Sequence, residues 1–172
     1  MITLRSGYPS SWGGSRRRAL TTAVVGAILW LLFLEQLGLD LDWPAVRIWQ
    51  TRFPYKVATG SVLGAFLLFQ WLLAVCRVSG FMRVAKALYP WHQTMGALAP
   101  ALLFLHSRRL GFGYLVVLCV VYLANNLVGL VNPSAFPRVK SVLSLWTIVH
   151  IALSVLVVAL AAYHAWTALY YE

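Results

Sequence analysis

Five long stretches of this chain carry no charge. Between consecutive charged residues lie runs at 19–34, 57–76, 87–107, 110–137 and 141–171. A peptide segment in hydrocarbon must pair its own N–H and C=O groups, and an α-helix needs about 20 apolar residues to cross the core of a bilayer. The runs therefore predict an all-α fold, an integral membrane bundle of five transmembrane helices near 19–39, 57–77, 90–107, 112–132 and 143–169. Gly80 punctuates the chain after the second of these, and Asn132-Pro133 and Pro137 after the fourth. Composition agrees: 61% of residues are hydrophobic and 10% charged, whereas a soluble domain of this size needs about a quarter charged.

Residues 19–172 form one domain, preceded by a polar, Ser/Gly-rich tail at 1–18 that ends in Arg16, Arg17 and Arg18. The apolar stretch after those arginines is too long for a signal-peptide core and lacks a small-residue cleavage pattern, so it reads as a retained anchor. With five spans, nine Lys and Arg fall on the side of the N-terminus and five on the other. The positive-inside rule then puts the N-terminus in the cytoplasm and the C-terminus outside. The segment 39–56 lies outside, where Trp43, Ile48, Trp49, Phe53 and Tyr55 suit the headgroup layer. Although the net charge is +10, the basic residues are dispersed between apolar runs, which excludes a nucleic-acid face. Cys76 and Cys119 sit inside apolar runs and carry neither a disulfide nor a zinc signal.

The four histidines, His92, His106, His150 and His164, all fall in the third and fifth spans. Each span holds two of them 14 residues apart, which on an α-helix returns both to within about 40° of one face and separates them by about 21 Å along the axis. Two imidazoles that far apart share no ion. The third and fifth spans run parallel, so His92 comes level with His150 and His106 with His164, giving two sites at two depths. Dedicated zinc is a poor match, because each level offers two histidines without an acidic or cysteine partner. Heme suits the pattern: the porphyrin supplies four nitrogens and leaves two axial positions for imidazoles on neighbouring helices. Gly96 and Ser154 each follow a histidine by four residues on the same face, and Ala99 and Val157 lie midway between levels, so a flat macrocycle meets little bulk. A lone histidine in a span reads as a packing residue bonded to a carbonyl, but two matched pairs with none to spare read as ligands.

Two helices each bearing His-x13-His, the second opening Trp146-Thr147-Ile148-Val149-His150 after Arg138 and Lys140, resemble the ferric reductase-like transmembrane domain. That family includes NADPH oxidases, ferric reductases and the heme-binding membrane subunit of the methionine sulfoxide reductase system. The spacing is also similar to the core of respiratory cytochrome b. The resemblance implies two heme b groups, the inner held by His92 and His150 and the outer by His106 and His164, and electron flow from the cytoplasmic side outward. It also implies a bacterial inner-membrane protein with a periplasmic C-terminus, one subunit of a larger redox complex.

With both axial positions occupied, such a centre suits electron transfer rather than bond-making. The donor is expected to be a membrane quinol or a separate flavoprotein, and the acceptor a soluble protein or small molecule. Arg108 and Arg109 follow His106 and are placed for the outer propionates, with Arg83, Lys86, Arg138 and Lys140 as inner candidates. All six also suit plain topological anchoring. Trp91, Trp146 and Trp166, each near a histidine, are assigned to packing. Pro100 is expected to kink the third span between levels, and Gly111-x-Gly113 precedes a helix rather than following a strand, so it is no dinucleotide fingerprint. Two rival functions remain at this level. A histidine-lined transporter would bring acidic residues into the bundle, where only Glu35 comes near. A heme-free anchor or assembly subunit would tolerate loss of the histidines.

Overall fold

A computed structural model describes residues 13–39, 44–107, 109–131 and 140–171. Among them every regular element is an α-helix: α1 (Gly13–Leu39), α2 (Pro44–Gln50), α3 (Phe53–Val78), α4 (Met82–Gly96), α5 (Ala99–His106), α6 (Tyr114–Leu130) and α7 (Lys140–Tyr170). The helix α1 starts ahead of the apolar run and continues through Arg16–Arg18, since arginine is a good helix former and the backbone needs no apolar side chains outside the lipid.

Three helices are long and apolar enough to cross a bilayer, over Leu20–Gly38, Phe53–Val78 and Ser141–Tyr170. Their outward faces carry exposed large apolar side chains, Leu31, Leu68, Leu145 and Ile148 among them, each more than 60% accessible. So much apolar surface on a folded chain marks a membrane protein. The other two expected spans differ from the prediction. The apolar helix α6 has 17 residues, about 26 Å of rise. The third span is not one helix but two, α4 and α5, separated by Ala97 and Leu98.

Pro100 explains the interruption. In a continuous helix the N–H of residue 100 would bond the carbonyl of Gly96, and proline has no N–H to give. The Gly96 carbonyl instead accepts from Asn126 Nδ2 of α6 at 2.6 Å. The other end of that amide accepts from Trp30 Nε1 of α1 at 2.9 Å, so one asparagine joins three helices at the break.

The principal core lies beside this junction. Phe33 of α1, Ala99 and Leu103 of α5, Cys119, Tyr122 and Leu123 of α6 and Val157 of α7 are buried together. Tyr122 donates to the Ala99 carbonyl at 2.9 Å. A second cluster of Leu73, Cys76 and Ala85 closes the α3–α4 hairpin, which turns at Gly80 with a positive φ of 78°. Both cysteines are free and buried. The short helix α2 occupies the stretch expected at the headgroups, with Arg52 over the Trp49 ring at 5.0 Å. Its buried Gln50 donates to the Phe104 carbonyl at 2.6 Å, satisfying one of the carbonyls left open at the end of α5. Close backbone packing joins α4 to α3 and α7 to α6, but not α7 to α4 or α5.

Candidate functional site

The histidines lie on α4, α5 and α7. His92 of α4 faces His150 of α7 with ring centres 6.2 Å apart and planes at 84°. His106, the last residue of α5, faces His164 of α7 at 6.1 Å and 72°. All four residues are half-buried.

These distances distinguish two kinds of imidazole pair. An in-line N–H···N bond would bring the ring centres to about 5.2 Å, and neither pair makes one. An imidazole nitrogen binds a metal at about 2 Å with its ring centre about 1.1 Å behind, so two imidazoles on opposite sides of one ion have centres about 6.3 Å apart. Both pairs match that spacing, which is also the spacing of an edge-to-face ring contact. Among the described residues no three His, Cys, Asp or Glu side chains gather to hold an ion by themselves. Each level therefore supplies two donors, and a metal there must bring its remaining ligands with it, as an iron porphyrin does.

A ligating imidazole needs an unprotonated nitrogen toward the metal, and in the outer pair the hydrogen bonds assign the proton to Nδ1. Thr59 Oγ1 lies 3.1 Å from His106 Nδ1 and gives its own proton to the Tyr55 carbonyl at 2.8 Å. Only its lone pair is left for the ring, so Nδ1 is the donor and Nε2 stays free. The second chain runs the same way. Thr167 Oγ1 donates to the His164 carbonyl at 3.0 Å, so it accepts from Tyr114 at 2.7 Å, and the Tyr114 oxygen accepts from His164 Nδ1 at 3.4 Å.

In the inner pair the arrangement is different. His150 lies against the Asn125 backbone, its buried Nδ1 making no hydrogen bond of good geometry among the described residues, while the ring stacks on Trp146 at 5.4 Å and 17°. Trp146 is itself tied to α6, donating from Nε1 to the Val128 carbonyl at 2.9 Å. His92 lies against the Gln70 amide of α3. Two glycines make room for the rings. A Cβ on Gly129 would stand 3.1 Å from His150 Cε1, and one on Gly60 would stand 3.1 Å from His106 Cε1.

The remaining expected site residues have varied surroundings. Gly96 sits beside His92 at the Pro100 break, its carbonyl taken by Asn126. Ser154 donates to the His150 carbonyl at 2.7 Å and reaches Asn125 Oδ1 at 3.2 Å. Both thus have partners in their own or adjacent helices. Arg109 is exposed in the loop after His106, and its carbonyl accepts from Ser107 at 2.7 Å. Arg83 and Lys86 are exposed on α4. Arg108 and Arg138 lie outside the described residues, as does the side chain of Lys140. Of the three tryptophans expected near histidines, Trp91 and Trp166 are 59% and 66% exposed, and Trp146 stacks on the His150 ring.

Gln70, Thr59, Tyr114, Gly60 and Gly129 were not singled out from the sequence. For Gln70 and Thr59 a signal exists, a polar side chain inside a charge-free run, which lipid penalises unless it has a partner. The glycines leave none, because a close approach between helices is invisible in either helix alone. Searches against protein families, curated proteins and solved structures find no match for this chain.

Proposed function

We infer that this chain is a five-span membrane cytochrome b subunit that carries electrons across the bilayer through two heme b groups. In this reading α4 and α5 together make the third span and α6 the fourth. The observation that carries it is the pair of facing imidazole couples, with ring centres 6.2 and 6.1 Å apart, at two levels of α4–α5 and α7. His92 and His150 would hold the inner heme iron, and His106 and His164 the outer one. The proton on Nδ1 of both outer rings favours the same conclusion, since it leaves Nε2 ready to ligate. Resemblance to the ferric reductase-like domain supports an electron path from the cytoplasmic face outward, with the N-terminus inside, in a bacterial inner membrane.

Bound between two imidazoles, heme b supplies a one-electron couple with no open coordination position. The chain does the rest. Gly60 and Gly129 let the rings seat against α3 and α6, and Thr59 and Tyr114 hold the outer tautomer. Arg109, with Arg108, is the candidate cation for the outer propionates. Donor and acceptor belong to other members of a redox complex, a quinol or flavoprotein inside and a protein or small molecule outside.

The spectrum tests this directly. Purified protein reduced with dithionite should show b-type bands, and a pyridine hemochrome assay should return about two hemes per chain, one for each axial pair. His106→Ala and His164→Ala should remove one spectral component, and His92→Ala and His150→Ala the other. A folded, colourless protein would leave the heme-free anchor as the reading, and loss of the same component from His92→Ala and His106→Ala would break the pairing.

A further inference from the structure

We propose that the α3–α4 hairpin carries a binding site for the headgroup of an anionic phospholipid, built from Arg77, Lys86 and Tyr89. The site depends on the membrane setting of the chain and on neither heme.

An open pocket of about 230 Å³ lies at this hairpin, lined by Arg77 of α3 and by Met82, Ala85, Lys86 and Tyr89 of α4. Its depth follows from the helices that form it. Arg77 is the next-to-last residue of a helix long and apolar enough to cross a bilayer. Lys86 stands one turn into α4, just after the chain reverses at Gly80. Long basic side chains at such positions extend their charge to the headgroup layer. Between the two cations the lining is apolar, Met82 and Ala85. A cationic rim over an apolar wall matches an amphiphile, with its phosphate at the rim and its chains along the helices. The volume falls below the about 300–1,000 Å³ of pockets that enclose drug-sized ligands, which suits one headgroup and leaves too little room for a flavin or a dinucleotide.

The charge of this pocket has no internal balance. Between residues 43 and 171 the sequence contains no Asp or Glu. The described residues hold one acidic side chain, Glu35, two positions after Phe33, which is buried with Leu103 just ahead of His106. Gly60 brings α3 to the level of His106, and from Gly60 to Arg77 the helix rises about 26 Å. No described carboxylate therefore neutralises Arg77 or Lys86. A zwitterionic headgroup would bring an ammonium toward two unbalanced cations, whereas an anionic one brings only the charge they lack.

Tyr89 makes the pocket more than a basic surface. Its hydroxyl accepts from Gln93 Nε2 at 3.0 Å, so its own O–H is left to donate. The Arg77 guanidinium stands over the same ring, with Cζ 5.8 Å from the ring centre, and Lys86 precedes Tyr89 by three residues on one face of α4. A guanidinium, an ammonium and a phenol thus converge from two helices, and a phosphodiester has acceptor oxygens for all three. Arg83, exposed on the same helix, does not line the pocket.

Native mass spectrometry of the purified full-length protein, titrated in detergent with phosphatidylglycerol, phosphatidylcholine or inorganic phosphate, tests the site. Phosphatidylglycerol should bind about 10-fold more tightly than phosphatidylcholine, and Arg77→Gln and Lys86→Gln should each weaken it about 10-fold, as loss of a hydrogen bond to a charged group does. Arg83→Gln removes one charge from the same helix and should weaken it less. Tyr89→Phe removes a donor without changing the charge, and a loss of about 5-fold there supports the site. Unchanged affinity in Tyr89→Phe, or a loss in Arg83→Gln as large as in the pocket variants, means a diffuse basic surface and overturns the proposal. Equal binding of the two lipids overturns it as well, and inorganic phosphate binding as tightly as phosphatidylglycerol makes the ligand a free anion and overturns the lipid assignment. A colourless protein that still selects phosphatidylglycerol through these residues keeps this site and overturns the cytochrome reading, and a two-heme protein without that selectivity does the reverse.

Discussion

Two of the histidine rings, His106 and His150, lie so close to a glycine that a side chain there would crowd them. A methyl group on Gly60 or Gly129 would come 3.1 Å from Cε1 of His106 or His150, whereas one on Gly64, also in α3, would meet nothing within 4 Å. The three glycines thus form a set with an internal control. Gly60→Ala should weaken retention of the outer component about 10-fold, the lower end of what disturbing a ligand's support costs. Gly129→Ala should do the same to the inner component, and Gly64→Ala to neither. Heme content and reduced spectra after extended washing provide the measurement, and depletion of one and the same component by the first two changes would contradict separate levels. Thr59→Val isolates the hydrogen bond from the packing, because it keeps the shape and removes the acceptor from His106 Nδ1 at 3.1 Å. The outer midpoint potential is expected to rise.

At the scale of elements, the break between α4 and α5 is the decisive feature. Fourteen residues of unbroken helix would already put His92 and His106 on one face, so the interruption must be accommodated without losing that relation. Pro100 withdraws the donor from the Gly96 carbonyl, and Asn126 replaces it while also holding Trp30. Asn126→Ala should therefore cost about 1–2 kcal/mol, as a carbonyl and an indole N–H lose their partner in an apolar setting. Combined with Pro100→Ala, which restores an N–H at residue 100, the loss should be smaller than the sum of the single changes. Thermal unfolding in detergent of the two single variants and the double variant measures this coupling. Strict additivity would mean that the asparagine does not stand in for the missing helical bond.

For the whole molecule, the functional reading makes a vectorial prediction. Two centres stacked through the bilayer should let a reductant on one side of a sealed vesicle reduce an acceptor enclosed on the other. Proteoliposomes loaded with ferricyanide and treated outside with a membrane-impermeant reductant should bleach, and His106→Ala vesicles should not, because the outer centre is missing. Bleaching that survives the loss of His106 would point to leakage or to a path that avoids the outer pair. Reporter fusions at the two termini check the orientation separately: an N-terminal reporter should read as cytoplasmic and a C-terminal one as external.

What could be read along the chain and what could not separates along a physical line. Charge-free runs, breaker residues and helical spacing are properties of one segment in one solvent, so the all-helical class, the membrane setting and the common face of each histidine pair followed from the residues alone. A disturbance by Pro100 was legible too, though not that it would take the form of two helices, α4 and α5, with the Gly96 carbonyl handed to Asn126. The 6 Å spacing of the rings, the glycines beneath them and the donors that choose a tautomer depend on which neighbour each helix meets and how closely. Lipid rewards apolar surface on every helix equally and so says little about partners. Backbone approach at small residues and the need of each buried polar group for a partner made that choice, and only the folded bundle expresses it.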